Sequence, residues 1–378
     1  MSGMESKPRD TAPLSVSVAM CTHNGASFVE AQLLSIFGQS RLPDEIVVVD
    51  DCSTDDTWAI LQRVGRGAAV PLRLYRNSER LGVTRNFEKS IALTTGEFVF
   101  LSDQDDLWNP EKIDRLLGEF VARPDLWFLH TDARLVNDQG EPLGSRLLDA
   151  LEMTMMERRR IHAGSPFDVY IRRNLATGAT AAFRRELFNS ARPFPDDWLH
   201  DEWLALIAAA FGRADLVEQE LIDYRQHDSN HMGIQPASTT VKLSRMFTRR
   251  GDFHRRMVRK VRQLHTHLLV TGAPAALLKQ VSSKLVHAMA RRSLPAHRAM
   301  RVPAILREAF SGRYWLWSSG WRSILRDLGE SIPQNRSEGL SMSERPDSSF
   351  DHTMPGSPIS HGQVSAGHAT RGSKRPRG

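Results

Sequence analysis

The sequence predicts an α/β fold: a mostly parallel sheet flanked by helices, followed by a basic helical region and a polar tail. Three observations carry this expectation. From Val16 to about His130, short apolar runs of strong β-formers alternate with segments of helical spacing. Polar or acidic turns follow the ends of several of those runs. Beyond about Ser238 the alternation stops, and Arg, Lys and His become frequent. Strand-helix alternation means right-handed βαβ units, which gather the carboxyl ends of the strands along one crevice.

Residues 1–13 are polar, lack the apolar core of a signal peptide and read as a disordered N-terminus. Val16 to Met20 predicts the first buried strand, and Cys21 to Gly25 a polar turn. Phe28, Leu33, Leu34, Ile36 and Phe37 then carry helical spacing. Glu45 to Val49 predicts a second strand, which ends in Asp50 to Asp56 and leads to a helix from about Thr57 to Val64. Leu72 to Tyr75 is a third strand. Gly82 opens a helix carrying Phe87, Ile91 and Leu93, Glu97 to Ser102 is a fourth strand, and Leu126 to His130 is a fifth. From Gly144 to Ile171 the pattern loosens, and Met153 to Met156 followed by Arg158-Arg159-Arg160 reads as a mobile basic lid or, in preference, an ordinary solvated helix. Asn174 to Thr180 is a small-residue strand or loop in which Gly178 permits close approach of a ligand to the backbone. Phe183 to Phe188 passes from strand to helix, His200-Asp201-Glu202-Trp203 opens an apolar helix, and Leu221 to His227 is a last strand and turn.

The fourth strand ends in Asp103-Gln104-Asp105-Asp106. Carboxylates are disfavoured in strands and costly to bury alone. A divalent cation, Mg²⁺ or Mn²⁺, is the simplest partner that would hold several of them while leaving sites for phosphate oxygens. The alternative is an acidic loop that caps the helix announced by Asn109-Pro110-Glu111. Thr22 to Gly25, Asp50-Asp51 and Asp103 to Asp106 should line one crevice, since all follow carboxyl ends of strands. The dinucleotide and P-loop glycine fingerprints are absent. A nucleotide bound there would meet Asp50 through its base or ribose, unless Asp50 only caps the next helix. Asp201 either complements the helix macrodipole or, if desolvated, serves as a general base. Arg225 and His227 suit a diphosphate or form ordinary surface pairs.

The 378 residues, 40% of them hydrophobic, suffice for a large core in the first two thirds. Two cysteines, Cys21 and Cys52, imply no disulfide framework and a reducing compartment. No apolar run approaches the roughly 20 residues that span a bilayer, so a cytoplasmic protein is expected. The net charge of +6 is concentrated between Lys242 and Arg326. Helices are expected over about 245–269, 275–292 and 295–310, with an apolar stripe that includes Met246, Phe247 and Val261. Trp315, Trp317 and Trp321 stand among Arg313, Arg322 and Arg326. That pairing suits an anionic membrane boundary, and equally suits aromatics packed on the main domain. Nucleic acid is not expected as a partner, because the basic residues do not form an aromatic-interleaved groove. The expected organisation is a catalytic domain over 14–237, a basic helical region over 238–330 and a disordered tail over 331–378.

The blocks V-S-V-A-M-C-T-H-N-G-A, V-V-V-D-D-C-S-T-D-D-T, F-L-S-D-Q-D-D-L-W, H-D-E-W-L-A-L and Y-R-Q-H resemble, in order, those of the family-2 glycosyltransferases. The D-Q-D-D-L-W block points to the rhamnosyltransferase-like bacterial branch. The resemblance spans about Ser15 to His231 and implies a GT-A, Rossmann-like sheet and inverting sugar transfer. It implies that Thr22 and Asn24 hold the nucleotide base and that Asp50 contacts base or ribose. Asp103 and Asp105 match the D-x-D pair, Asp103 facing ribose and metal and Asp105 binding the metal on the diphosphate. Asp106 completes the acidic loop. Asp201 matches the catalytic base, and Gly178, Arg225 and His227 fall near the diphosphate or acceptor. The implied donor is a dTDP- or UDP-linked sugar, with rhamnose the branch-level choice. The implied acceptor is a glycan or lipid-linked hydroxyl in cell-surface polysaccharide synthesis, with contact to the inner face of the plasma membrane left open. Glu202 departs from the pattern, since a second aromatic is usual there, and the long polar tail has no counterpart. Two other classes compete. A metal-dependent nucleotidyltransferase would need a Gly- and Lys/Arg-rich first loop, where Cys21 to Ala26 has none. A non-catalytic membrane scaffold would leave the acidic crevice unexplained.

Overall fold

Val16–Thr22 forms β1 and Glu45–Asp50 forms β2, both buried along their whole length. The Ile46 to Val49 run of β2 suits a strand covered on both faces. Leu72–Arg76 (β3) and Phe98–Ser102 (β4) flank them in the parallel order β3-β2-β1-β4. The helices between them are α1 (Val29–Phe37), α2 (Thr57–Gly65) and α3 (Val83–Leu93). Period-two alternation divides the strands. Val16, Val18 and Met20 pack with Leu33, Ile36 and Leu61, whereas Ala19 and Cys21 pack with Phe87 and Ile91 on the other face. The computed structural model describes residues 14–227 and 252–330, all within one compact unit.

The second half of the sheet is built differently. Leu107–Trp108 (β5) leads to α4 (Lys112–Ala122), and Phe128–Val136 (β6) to Pro142–Arg146 (β7). The short helices α5 (Leu147–Ala150), α6 (Met155–His162) and α7 (Pro166–Tyr170) follow. A 3₁₀ turn at Gly178–Thr180 enters β8 (Ala181–Arg184), which continues into α8 (Arg185–Ala191). Then come α9 (His200–Ala210) and β9 (Ala214–Arg225). β8 inserts antiparallel between β4 and β6, β6 pairs parallel with β9, and β5 pairs antiparallel with β9, to give nine strands. The α/β fold with a mostly parallel sheet in its first half is as expected. The strand expected at Leu126 instead starts at Phe128 and runs on to Val136, and the last strand starts well before Leu221, at Ala214.

The C-terminal helices are α10 (Phe253–Val270), α11 (Ala275–Arg292), α12 (Arg298–Phe310), α13 (Arg313–Trp317) and α14 (Trp321–Gly329). Val261, Leu264, Leu268 and Val281 join the same core as Trp203, Leu204 and Ile207. The two readings of the basic region therefore divide between its parts. α10 and α11 pack on the main domain, whereas Phe310, Trp315 and Trp321 are 88%, 51% and 60% exposed. Among the described residues no helix is long and apolar enough to cross a membrane. Residues 1–13, Met246, Phe247 and the tail from 331 lie outside the described residues, so the disorder expected of the two termini is not tested.

Candidate active site

The loops that follow β1, β2 and β4 converge, as parallel strands require, and with residues 174–178 and the start of α9 they wall a cleft of about 940 Å³. Thr22, Asn24, Asp103, Asp105, Gly178, Asp201, Arg225 and His227 all line it. Two residues expected there, Asp50 and Asp106, do not.

Asp50 is fully buried. Its carboxylate accepts from the Thr22 hydroxyl at 2.9 Å, from the Ser53 amide at 3.0 Å and from the Ser53 hydroxyl. It ties its own loop to the one beside it and, contrary to expectation, does not face the cleft in this structure. Asp51, one residue on and of opposite parity, reaches the cleft. It accepts from the amides of Leu81 at 2.7 Å and Gly82 at 2.9 Å, which fixes the loop before α3. Asn24, at φ 49°, accepts from the Thr54 amide at 2.8 Å and ties the first two loops together. Gln104 ties the third. Its amide oxygen accepts from the His23 N–H at 2.8 Å, and its amide nitrogen donates to the His23 carbonyl at 3.1 Å.

Within the acidic loop the carboxylates differ sharply. Asp103 is half-buried at the wall; its backbone carbonyl accepts from the Ser102 hydroxyl at 2.9 Å, and its carboxylate accepts no hydrogen bond among the described residues. Desolvation, with Asp105 and Asp201 nearby, pushes it up to about 8. Asp105 is 18% exposed and meets His227 Nε2 at 2.9 Å, which raises the imidazole pKa. Asp106 turns inward. One of its oxygens accepts from the Arg225 amide at 3.0 Å, and the other is buried without a partner among the described residues. Burial raises its pKa, and the Lys112 ammonium opposes this. Asp106 thus lies behind the acidic loop and does not line the cleft. Arg225 is also committed, donating from Nε to the Asp105 carbonyl at 2.8 Å and from NH1 to the Asp138 carbonyl at 2.5 Å. Lys112, which sequence reasoning passed over, is fully buried, donates to the Ala179 carbonyl at 2.7 Å and is lowered to about 7 by burial.

Asp201 lies in the first turn of α9 and is 8% exposed. Its Oδ2 accepts from the Gly178 amide at 2.9 Å, and its Oδ1 from the Glu202 amide at 2.6 Å. Those bonds stabilise the carboxylate, but burial outweighs them and raises its pKa to about 6. Gly178 is required for this approach, because a Cβ there would lie 2.6 Å from His200 Nε2. His200 stacks on Phe87 with ring centroids 3.8 Å apart, and neither of its ring nitrogens has a partner among the described residues.

A divalent cation fits the donor set. Asp103 and Asp105 present hard oxygen ligands at one wall, and the only cation opposing the desolvation of Asp103 is the buried Lys112 behind the loop. Two carboxylates are what Mg²⁺ or Mn²⁺ takes when phosphate oxygens complete its shell. A separate buried group, His254, Asp327 and Glu330, brings ligand atoms within 4.8 Å of one another in the C-terminal helices. There, Arg291 already binds both oxygens of Asp327 at 2.7 Å, which balances the charge without a metal.

Residues 17–191 match the family model of glycosyl transferase family 2. The chain is 25% identical over 249 residues to the dTDP-rhamnosyl transferase RfbG of Shigella flexneri, covering 64% of this chain and 83% of that one. It is 24% identical over 238 residues to an uncharacterized glycosyltransferase of Nostoc, covering 60% and 69%. Residues 1–349 of S. aureus TarS, solved with UDP-GlcNAc, share the fold with a TM-score of 0.53 at 17% identity, over 83% of this chain and 90% of that one.

Proposed function

Residues 17–191 form a glycosyl transferase family 2 domain, and from that premise we propose that this chain is an inverting, metal-dependent glycosyltransferase. It moves a sugar from a nucleotide-diphosphate donor to a hydroxyl of a glycan or lipid-linked acceptor in bacterial cell-surface polysaccharide synthesis. The observation that carries this reading is the desolvated Asp201 carboxylate, which shares one cleft with Asp103 and Asp105. A base held near 6 is ionised at neutral pH and can still take a proton from a hydroxyl that is losing it in the transition state.

In this reading the loops after β1 and β2 hold the base and ribose, with Asp51 in the position first expected of Asp50. Asp103 and Asp105 would hold Mg²⁺ or Mn²⁺, which when bound would supply charge neutralisation for the diphosphate leaving group. Asp201 accepts the acceptor's proton as its oxygen attacks the anomeric carbon from the face opposite the diphosphate. The C–O bond to the diphosphate breaks in the same event, so configuration inverts and no sugar-enzyme bond forms. The dTDP-rhamnosyl relative supports dTDP-rhamnose as donor, with a UDP-linked hexose as the competitor. The exposed Phe310, Trp315 and Trp321 beside Arg313 and Arg322 support peripheral contact with the inner face of an anionic plasma membrane.

Calorimetric titration of dTDP, UDP and GDP, with and without Mn²⁺ or Mg²⁺, tests the reading. Metal-dependent binding of one nucleotide, lost in Asp105→Ala, is expected. No binding of any nucleotide under any condition would overturn it.

A further inference from the structure

A second cavity of about 960 Å³ adjoins the cleft. It lies between the segment 170–174, the loop before α9, and helices α10 and α11, and it shares Leu81, Gly82, Val83, Asn174 and Leu199 with the cleft. Asp201 lines the first space and its neighbour Glu202 lines the second. Seven cationic side chains and three carboxylates line this second space. The carboxylates are already committed. Glu202 pairs with Lys260 at 2.5 Å, Asp197 with Arg259 at 2.8 Å, and Asp196 with Arg85 at 2.8 Å. Arg173 is held by Glu157 at 2.8 Å. Arg172, Arg256 and Lys284 remain, and none of them forms a close ion pair with a carboxylate among the described residues; Glu202 and Asp197, already paired, act on Lys284 and Arg256 only from a distance. Arg172 donates to the Ser318 carbonyl at 3.3 Å, and the Lys284 ammonium donates to the Ile171 carbonyl. Lys284 is 8% exposed, and burial pushes it down to about 8.

A walled space whose surplus positive charge the protein leaves unneutralised is arranged for an anion. Two guanidinium groups and an ammonium match the several oxygens of a phosphoryl group better than they match a neutral sugar. We propose that this chamber holds a phosphate or diphosphate group of the acceptor, while the acceptor's hydroxyl reaches past Leu199 to Asp201. The proposal rests on the glycosyltransferase reading and names the acceptor class that reading leaves open: a phosphate-bearing one. No metal is needed here, because the cations are the protein's own.

The test is calorimetric titration of inorganic pyrophosphate into the full chain in EDTA, for the wild type and for Arg172→Ala/Arg256→Ala. Neither arginine lines the donor cleft, and neither is buried, so the double variant is expected to fold, which a thermal melt checks. Saturable binding is expected in the wild type and should weaken by about tenfold or more in the variant. In parallel, the nucleotide that binds with Mn²⁺ should bind both proteins alike. Pyrophosphate binding that is absent in the wild type, or equal in the two proteins, overturns the proposal and leaves the transferase reading standing. Failure of every nucleotide to bind overturns the reading beneath it. A second arm sediments both proteins with phosphatidylcholine vesicles doped with phosphatidic acid. Vesicle binding that does not depend on the two arginines is expected. Loss of vesicle binding in the variant would assign the chamber to bilayer headgroups and overturn the acceptor assignment.

Discussion

The two cavities on either side of Leu199 are almost equal in volume, about 940 and 960 Å³, and opposite in charge. One presents Asp103, Asp105 and Asp201; the other presents Arg172, Arg256 and Lys284, none of them in a close ion pair. Both are read here as sites for phosphoryl groups, and the difference shows two ways to hold one. Fixed cations bind the anion directly and permanently. Carboxylates bind it only through a divalent ion, which turns a repelling wall into an attracting one and can leave with the product. The metal-dependent way suits the group that must depart, and the direct way suits the group that must stay in register.

The largest expected effect separates chemistry from binding. Asp201→Asn should lower transfer by about 10³-fold and leave metal-dependent nucleotide affinity unchanged, as read by turnover beside calorimetry. Transfer at a near-normal rate would remove Asp201 as base. Next, Asp105→Ala should weaken nucleotide binding with Mn²⁺ by about 100-fold but barely affect the metal-free affinity. Equal loss with and without metal would mean that the acidic wall does not act through a cation. A pH profile sharpens the acidic side further. Asp201 must be ionised to accept a proton, and burial holds it at about 6. So kcat/KM should level off about one unit above that pH and fall towards about tenfold per unit below it. An acid limb near the ordinary aspartate value, about 3.9, would contradict a desolvated base. The smallest effect is Gly178→Ala. Its Cβ would press on His200 at 2.6 Å and lie 3.7 Å from the Asp201 Cβ. Overpacking of this kind costs about 1–3 kcal/mol, to be seen as a lower Tm with a modest loss of turnover.

The first half of the fold is legible because three of its four strands, β1, β2 and β4, are buried along their whole length. Burial on both faces makes strands such as Glu45–Asp50 unbroken apolar runs, and their polar loops stand out at the ends. The second half is not legible by the same means. β5 has two residues, β7 reads Pro-Leu-Gly-Ser-Arg and is mostly exposed, and the antiparallel insertion of β8 is a pairing choice that no local pattern encodes. Residue types at the site were found more reliably than their orientation. Asp50 shares the parity of Ile46 and Val48, which face the α1 side, so strand alternation itself could have assigned the cleft to Asp51. Nothing local announces that Arg225 is committed to carbonyls or that Lys112 lies behind the acidic loop. Nor does any local pattern bring Lys260 of α10 to Glu202. Each of these is a contact between distant parts of the chain.

That last pair has a practical consequence for building hybrid enzymes. Glu202, beside the proposed base, is neutralised by Lys260, and Val261, Leu264 and Leu268 of the same helix are embedded in the core around Trp203. A chimera that takes residues 252–330 from a relative and keeps this α9 would strand a carboxylate next to Asp201 and leave a mismatched seam along Trp203. The seam for recombination therefore runs through α9 as well as through the connection that precedes α10. A graft meant to change the acceptor has to carry positions 196–207 and 252–292 together.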